Sequence, residues 1–150
     1  MDETTTTALA QALAARIASE GPLALSAYMA ACLGDAGHGY YRTQQAIGAA
    51  GDFITAPEIS QVFGEIVGLW SAVAWQGLGE PERWRLIELG PGRGTLMQDA
   101  LRAMKVLPAA LAGLEVVLVE ANPRLADEQR RRLASGTCPV SWRTALAPLP

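Results

Sequence analysis

The stretch Trp84-Arg85-Leu86-Ile87-Glu88-Leu89-Gly90-Pro91-Gly92-Arg93-Gly94-Thr95 decides the fold. A short apolar run from Trp84 to Leu89 leads directly into a glycine-rich turn, and helix-like sequence follows from Thr95 to about Val106. Glycines at such a junction let the backbone turn sharply and let a ligand approach the main chain. The turn falls at the carboxyl end of the run, where open α/β sheets place their ligands. After a Pro-containing link, Glu115 to Glu120 reads as a second strand, with Val116-Val117-Leu118-Val119 at its centre. Asn122 is an N-cap and Pro123 a first helical residue, opening a helix to about Ala134. Val140 to Arg143 reads as a third strand. Strand, helix, strand, helix, strand predicts a parallel sheet with right-handed crossovers. Three strands are about half of a doubly wound sheet, so the chain is expected to be one piece of a longer polypeptide.

Working back toward the start, the periodicity is helical. Thr4 to Thr7 offer N-cap chemistry, and Leu9, Leu13 and Ile17 predict a helix over 8–19. Gly21-Pro22 ends it and seeds a second, with Leu25, Tyr28, Met29, Cys32 and Leu33 on one face. The segment from Gly34 to Tyr41 is too rich in glycine for regular structure, and an irregular stretch is expected to continue to Phe53. Thr55 and Glu58 have capping-box spacing, and Pro57 lies in the first turn of the helix they would open. Ile59, Val62, Phe63, Ile66, Leu69, Trp70 and Val73 recur at helical spacing over about four turns and read as its inward face. Gly77-Leu78-Gly79 and Pro81 stop it. The organisation expected is an amino-terminal helical and loop segment over 1–80, then the first half of a nucleotide-binding sheet over 81–150. No internal repeat is visible.

Composition agrees with a packed globular domain. Half of the 150 residues are apolar and 18% are charged, well away from the polar, highly charged profile of a disordered chain. A net charge of −3 provides no field for steering toward nucleic acid or an anionic membrane. No apolar run reaches the roughly 18–20 residues of a membrane span. Cys32 and Cys138 match no metal or redox spacing, and the simplest reading of each is a small buried hydrophobe in a reducing compartment. No metal site is expected. The acidic start, Met1-Asp2-Glu3, carries neither an apolar signal core nor Arg-rich transit character. Cytoplasmic placement is therefore the default.

The glycine spacing then selects the ligand. A dinucleotide loop would read G-x-G-x-x-G, but here the pattern is G-x-G-x-G, with Thr95 where the third dinucleotide glycine would stand. Two residues before the first glycine lies Glu88. A pyrophosphate would be repelled by that carboxylate, whereas an ammonium would form charge-assisted hydrogen bonds with it. S-adenosylmethionine carries an amino-acid ammonium and no phosphate. Glu120 ends the second strand, where a carboxylate can accept bonds from both ribose hydroxyls of an adenosine. Glu88, Gly90, Pro91, Gly92, Gly94 and Glu120 are thus the expected cofactor-binding residues. An NAD-type oxidoreductase is the rival enzyme class, opposed by the spacing and by Glu88. A non-catalytic assembly or binding module with a cofactor-like site is the non-enzymatic alternative.

Three stretches together resemble one family: Gly51-Asp52-Phe53-Ile54-Thr55-Ala56-Pro57-Glu58-Ile59-Ser60 with Phe63-Gly64-Glu65, Leu86 to Leu96, and Leu118-Val119-Glu120. They are similar to the MidA-type protein arginine methyltransferases, whose mitochondrial members assist assembly of respiratory complex I. Gly21-Pro22 and Gly39-Tyr40-Tyr41 also fit. The resemblance covers nearly the whole chain, and the Gly-Asp-Phe segment is its most specific part. It implies a class I methyltransferase (Rossmann-like) α/β fold and S-adenosyl-L-methionine as cofactor. It also implies symmetric dimethylation of an arginine in a complex I core subunit, or of another protein in bacterial relatives. The location it implies is the mitochondrial matrix in a eukaryote and the cytoplasm in a bacterium.

Methyl transfer from a sulfonium is an in-line displacement, and an arginine acceptor needs carboxylates to orient its guanidinium. Asp52, Glu58 and Glu65 are the candidate catalytic acids by position. For Glu58 the capping-box role competes, and for Glu65 a place on a solvated helix face does. His38 between glycines reads as a loop residue, Arg130 to Arg132 as charges suited to a helix C-terminus, and Trp70 and Trp75 as core.

Overall fold

The computed structural model describes residues 6–43, 51–136 and 138–146. The chain divides into two compact units, Met1–Ala46 and Ile47–Pro150. The first carries α1 (Ala8–Glu20), α2 (Leu25–Gly34) and α3 (Tyr40–Thr43). Thr7 caps α1 by accepting a hydrogen bond from the Ala10 N–H at 3.2 Å, as the threonine run predicts. The glycine-rich segment is more ordered than expected, since Tyr40 already enters a helical turn. Asp35 explains why: its Oδ1 accepts from the backbone N–H groups of Gly37 and His38 at 3.0 and 2.8 Å. A Cβ at Gly39 would meet the Asp35 nitrogen at 2.4 Å, so that closure needs glycine. His38 is a loop residue beside Asp35. The expected irregular stretch falls largely in 44–50, outside the described residues.

The second unit contains α4 (Ala56–Ile59), α5 (Gln61–Gly77), β1 (Trp84–Leu89), α6 (Thr95–Ala103), a 3₁₀ turn (Met104–Val106), α7 (Pro108–Ala112), β2 (Leu114–Val119), α8 (Pro123–Leu133) and β3 (Val140–Arg143). The strands form one parallel sheet in the order β1-β2-β3. This is the α/β arrangement expected from the alternation of elements, and the bounds of β1 and β3 coincide with those read from the sequence. Asn122 caps α8 by accepting from the Arg124 N–H at 3.0 Å. Met97, Leu101 and Met104 pack on Leu114, Val116 and Leu118 of β2, with Leu133 of α8 and Trp75 of α5 completing the core. Buried polar edges are paired: Trp84 Nε1 donates to the Ala110 carbonyl at 2.7 Å and Trp75 Nε1 to the Pro81 carbonyl at 3.0 Å.

Two expectations about the long helix are corrected. It is not continuous from Thr55: α4 is a single turn, Ser60 is extended (φ −151°, ψ 130°), and its side chain restarts the helix by accepting from the Val62 N–H. Its large apolar residues are also not the inward face. Ile59, Val62, Ile66 and Val73 are exposed, and Trp70 is 68% exposed, whereas Gly64, Gly68, Ser71, Ala72 and Trp75 are buried. The cause is close approach to α6. A Cβ at Gly68 would meet the Ala100 carbonyl oxygen at 2.4 Å, and one at Gly64 would meet the Asp99 Cβ at 2.7 Å. Small residues let two helix backbones approach more closely than a ridge of Ile and Trp would, and dispersion favours the closer fit.

Candidate cofactor-binding site

Parallel pairing sets the site. The register pairs Glu88 with Leu118 and Leu89 with Val119, so β1 and β2 end at the same edge. The Gly90 N–H extends the ladder by donating to the Val119 carbonyl at 2.9 Å. The chain then turns through Gly90 (φ 65°), Gly92 (φ 55°) and Gly94 (φ 78°), left-handed conformations that residues with a Cβ adopt only at a cost. The Gly94 N–H closes the turn on the Pro91 carbonyl at 2.8 Å, and Gly94 is the N-cap of α6. Gly94 also lies against α8, where an added Cβ would come within 3.2 Å of Gln129 Cγ.

A cleft of about 250 Å³ opens over this turn, lined by Glu88, Gly90 to Arg93, and Thr95, and closed by Pro57, Glu58 and Phe63. Its polar focus is Glu88. Burial raises this carboxyl from the ordinary glutamate range to about 7. Its Oε2 is shielded from solvent with no hydrogen-bond partner among the described residues. A buried, unpaired carboxylate oxygen is costly in a folded protein and calls for an explanation. A ligand cation supplies one.

Glu120, one residue past β2, is arranged in the opposite way. Its Oε1 accepts from the Asn122 N–H at 2.7 Å and its Oε2 from Gln129 Nε2 at 3.3 Å. Its own N–H donates to the Arg143 carbonyl at 2.8 Å, tying the strand end to β3. The loop and both acids expected to bind a cofactor therefore share one edge of the sheet.

Of the three acids proposed for catalysis, Glu58 lines this cleft and Glu65 and Asp52 do not. Glu58 does not form the capping box: no side chain caps α4 at Thr55. Its carboxylate reaches the glycine turn instead, where Glu58 Oε1 accepts from Thr95 Oγ1 and Oε2 pairs with Arg93 Nη1 at 3.2 Å. Arg93 in turn donates through Nε to Glu128 of α8 at 2.7 Å. The capping box loses because α4 lasts one turn and an arginine lies within reach. Glu65 pairs with Arg102 of α6 at 2.9 Å, and Arg102 also pairs with Asp99 at 2.7 Å. Asp52 is exposed and does not line the cleft.

Gln129 went unnoticed in the sequence because Asp127-Glu128-Gln129-Arg130 reads as a solvated surface. One signal was available: Ala126, Gln129 and Leu133 share a helical face, so Gln129 occupies a position on the apolar stripe. Among the described residues, no group of three or more His, Cys, Asp or Glu side chains is placed to hold a metal ion. Nor is any helix long and apolar enough to cross a membrane. Cys32 and Cys138 are free and partly buried, and burial raises the Cys138 thiol, the direction of an unreactive side chain.

Residues 66–150 match the family model described as "Putative S-adenosyl-L-methionine-dependent methyltransferase". The chain belongs to this family. It is 42% identical over 134 residues to the mitochondrial protein arginine methyltransferase NDUFAF7 of Xenopus tropicalis, covering 88% of this chain and 31% of that protein. It is 40% identical over 136 residues to the human protein of the same name, covering 89% and 31%. The chain thus spans about a third of the length of the curated relatives it matches. Its fold matches the crystal structure of a Burkholderia thailandensis protein bound to S-adenosyl-homocysteine, at a TM-score of 0.73 and 32% identity. That match covers 93% of this chain and 38% of the other. The resemblance to the arginine methyltransferases and the partial Rossmann-like sheet expected from the sequence are both borne out, and the family is S-adenosylmethionine-dependent, as the glycine spacing implied.

Proposed function

We propose that this chain forms the cofactor-binding part of an S-adenosylmethionine-dependent protein arginine methyltransferase. The observation that carries the reading is the pair of acids at one sheet edge. Glu88 has a shielded, unpaired Oε2, and Glu120 is already oriented by two protein donors. The residues fit the group: Glu88 would take the methionine ammonium, the glycine turn would pass beneath the chain joining it to the sugar, and Glu120 would accept from the ribose hydroxyls. The cofactor, when bound, supplies an electrophilic methyl group on a sulfonium. The protein's part is to hold that group and an acceptor in line and to exclude water.

The arginine specificity rests on the curated relatives, which are named protein arginine methyltransferases. A protein substrate, specifically a respiratory complex I core subunit, belongs to the same proposal, with the mitochondrial matrix as its site in a eukaryote and the cytoplasm in a bacterium. Asp52 remains the candidate to face the acceptor. Glu58 and Glu65 are engaged by Arg93 and Arg102 and act in holding the loop and the α5–α6 contact.

A thermal melt with S-adenosylhomocysteine and with NADH tests the cofactor reading. At about a hundred times its dissociation constant, a ligand specific for the folded state adds roughly 2.7 kcal/mol. Stabilisation by S-adenosylhomocysteine alone is the expected result. A cooperative melt moved by neither ligand, or by NADH alone, would overturn it. Incorporation of labelled methyl groups into arginine-containing protein by the longer parent chain, lost on Asp52→Ala with the melt unchanged, is the expected result for the activity.

A further inference from the structure

Gln129 is completely buried, yet nothing in the function so far requires it. A primary amide in an apolar core is unfavourable unless its atoms are paired. Here Nε2 donates to the Gly92 carbonyl at 2.7 Å and to Glu120 Oε2 at 3.3 Å, and Oε1 accepts from Trp142 Nε1 at 3.0 Å. An indole N–H only donates, so the Trp142 bond fixes which amide atom is oxygen and therefore which way the NH₂ points. Trp142 is itself held, with the Arg130 guanidinium 5.0 Å from its ring centre.

The consequence lies at Glu120. Asn122 occupies one acceptor position on Oε1 and Gln129 one on Oε2. Each carboxylate oxygen can accept about two bonds, so each retains one position, in a plane set by the protein. Two acceptors in a fixed plane suit two vicinal hydroxyls. The same amide also holds the Gly92 carbonyl, linking the glycine turn to Glu120.

We infer that Gln129 is a positioning residue for ribose recognition, joining the glycine turn and the Glu120 carboxylate into one rigid cradle through a single amide whose orientation Trp142 sets. This rests on the reading that the cleft takes S-adenosylmethionine. Gln129 touches no ligand. It acts by denying Glu120 the rotamers in which the carboxylate could not meet both hydroxyls.

The test compares dissociation constants, by titration calorimetry on the protein, for S-adenosylhomocysteine and its 2′,3′-dideoxyribose analogue. The wild-type protein is expected to bind the dideoxy compound at least about thirtyfold more weakly, since it lacks two charge-assisted bonds. Gln129→Met keeps the volume and removes all three bonds. It is expected to cut that ratio below about fivefold, because hydroxyl recognition is lost, while loosening of the glycine turn on loss of the Gly92 bond weakens both ligands alike and leaves the ratio untouched. Trp142→Phe frees the amide to rotate and is expected to give an intermediate ratio. A core-packing role alone would weaken both ligands together and leave the ratio intact, and that result would overturn the inference. Should Gln129→Met lose its cooperative melt, Trp142→Phe decides by the same ratio. Failure of the wild-type protein to bind S-adenosylhomocysteine would overturn the cofactor reading as well. Binding with discrimination that survives both substitutions would overturn only the role of Gln129.

Discussion

The ends of β1 and β2 carry one glutamate each and prepare them in opposite ways. Glu88 is half-buried with its Oε2 shielded from solvent and unpaired among the described residues, and burial pushes its carboxyl up to about 7. Glu120 is partly exposed and held by two donors before any ligand arrives. The difference follows from what each would meet. A carboxylate waiting for a cation can be left unsatisfied, because the cation returns the missing interaction with interest in a low-dielectric site. A carboxylate waiting for neutral hydroxyls gains less from each bond, so it must be oriented beforehand.

The sharpest way to break this contrast is at Glu88. Glu88→Gln removes the charge with little change of shape, and S-adenosylhomocysteine binding is expected to weaken on the order of a hundredfold, read by calorimetry. The same substitution is expected to stabilise the ligand-free protein above pH 7 by on the order of 1–3 kcal/mol in a denaturant melt. Loss of affinity without that gain in stability would mean that Glu88 is not an unsatisfied charge.

The pH profile tests Glu88 next. The folded-state value of Glu88 is raised above its ordinary 4.5 to about 7. The folded state therefore holds a proton that the unfolded chain has lost. The stability attached to that proton is fully present below about pH 4.5 and is lost as pH rises through about 7. Ligand binding runs the other way, since an ammonium selects the ionised carboxylate. The dissociation constant for S-adenosylhomocysteine is expected to fall about tenfold per pH unit from 5.5 toward 7 and then level off, and Glu88→Gln is expected to abolish that slope. A flat profile in the wild-type protein would place the ammonium elsewhere.

Glu120→Gln is expected to have a smaller effect, about tenfold on S-adenosylhomocysteine affinity. Should it equal Glu88→Gln, the distinction between a cation acid and a hydroxyl acid would fail. Smallest of all is Glu58→Gln, which removes the ion pair to Arg93 but leaves an acceptor for Thr95. About 1 kcal/mol of stability and a few-fold in affinity are expected, checked by a melt and a titration.

Legibility followed the range of the interaction. The strand, glycine turn and helix from Trp84 onward, the Asn122-Pro123 start of α8 and the order of the two acids were all readable, because each is set by neighbours in the chain: φ at the glycines, a cap, a strand end. The face of α5 was not. Hydrophobicity pointed Ile66 and Trp70 inward, and the structure turns Gly64, Gly68 and Ala72 inward instead. That choice depends on how closely α6 can approach, which no periodicity encodes. The capping box at Thr55 and Glu58 was likewise a local pattern defeated by a distant partner, Arg93.

By itself, then, the sequence determined the α/β alternation, the turn that only glycine accommodates, and the presence of an acid at each of two strand ends. Tertiary structure alone decided that Glu88 keeps an unpaired oxygen, that Glu58 holds the glycine turn, and that Gln129 joins the turn to Glu120. Backbone conformation and strand ends are fixed by residues a few positions apart. The protonation and orientation of a buried side chain depend instead on atoms that folding brings together from about nine to thirty-seven residues away.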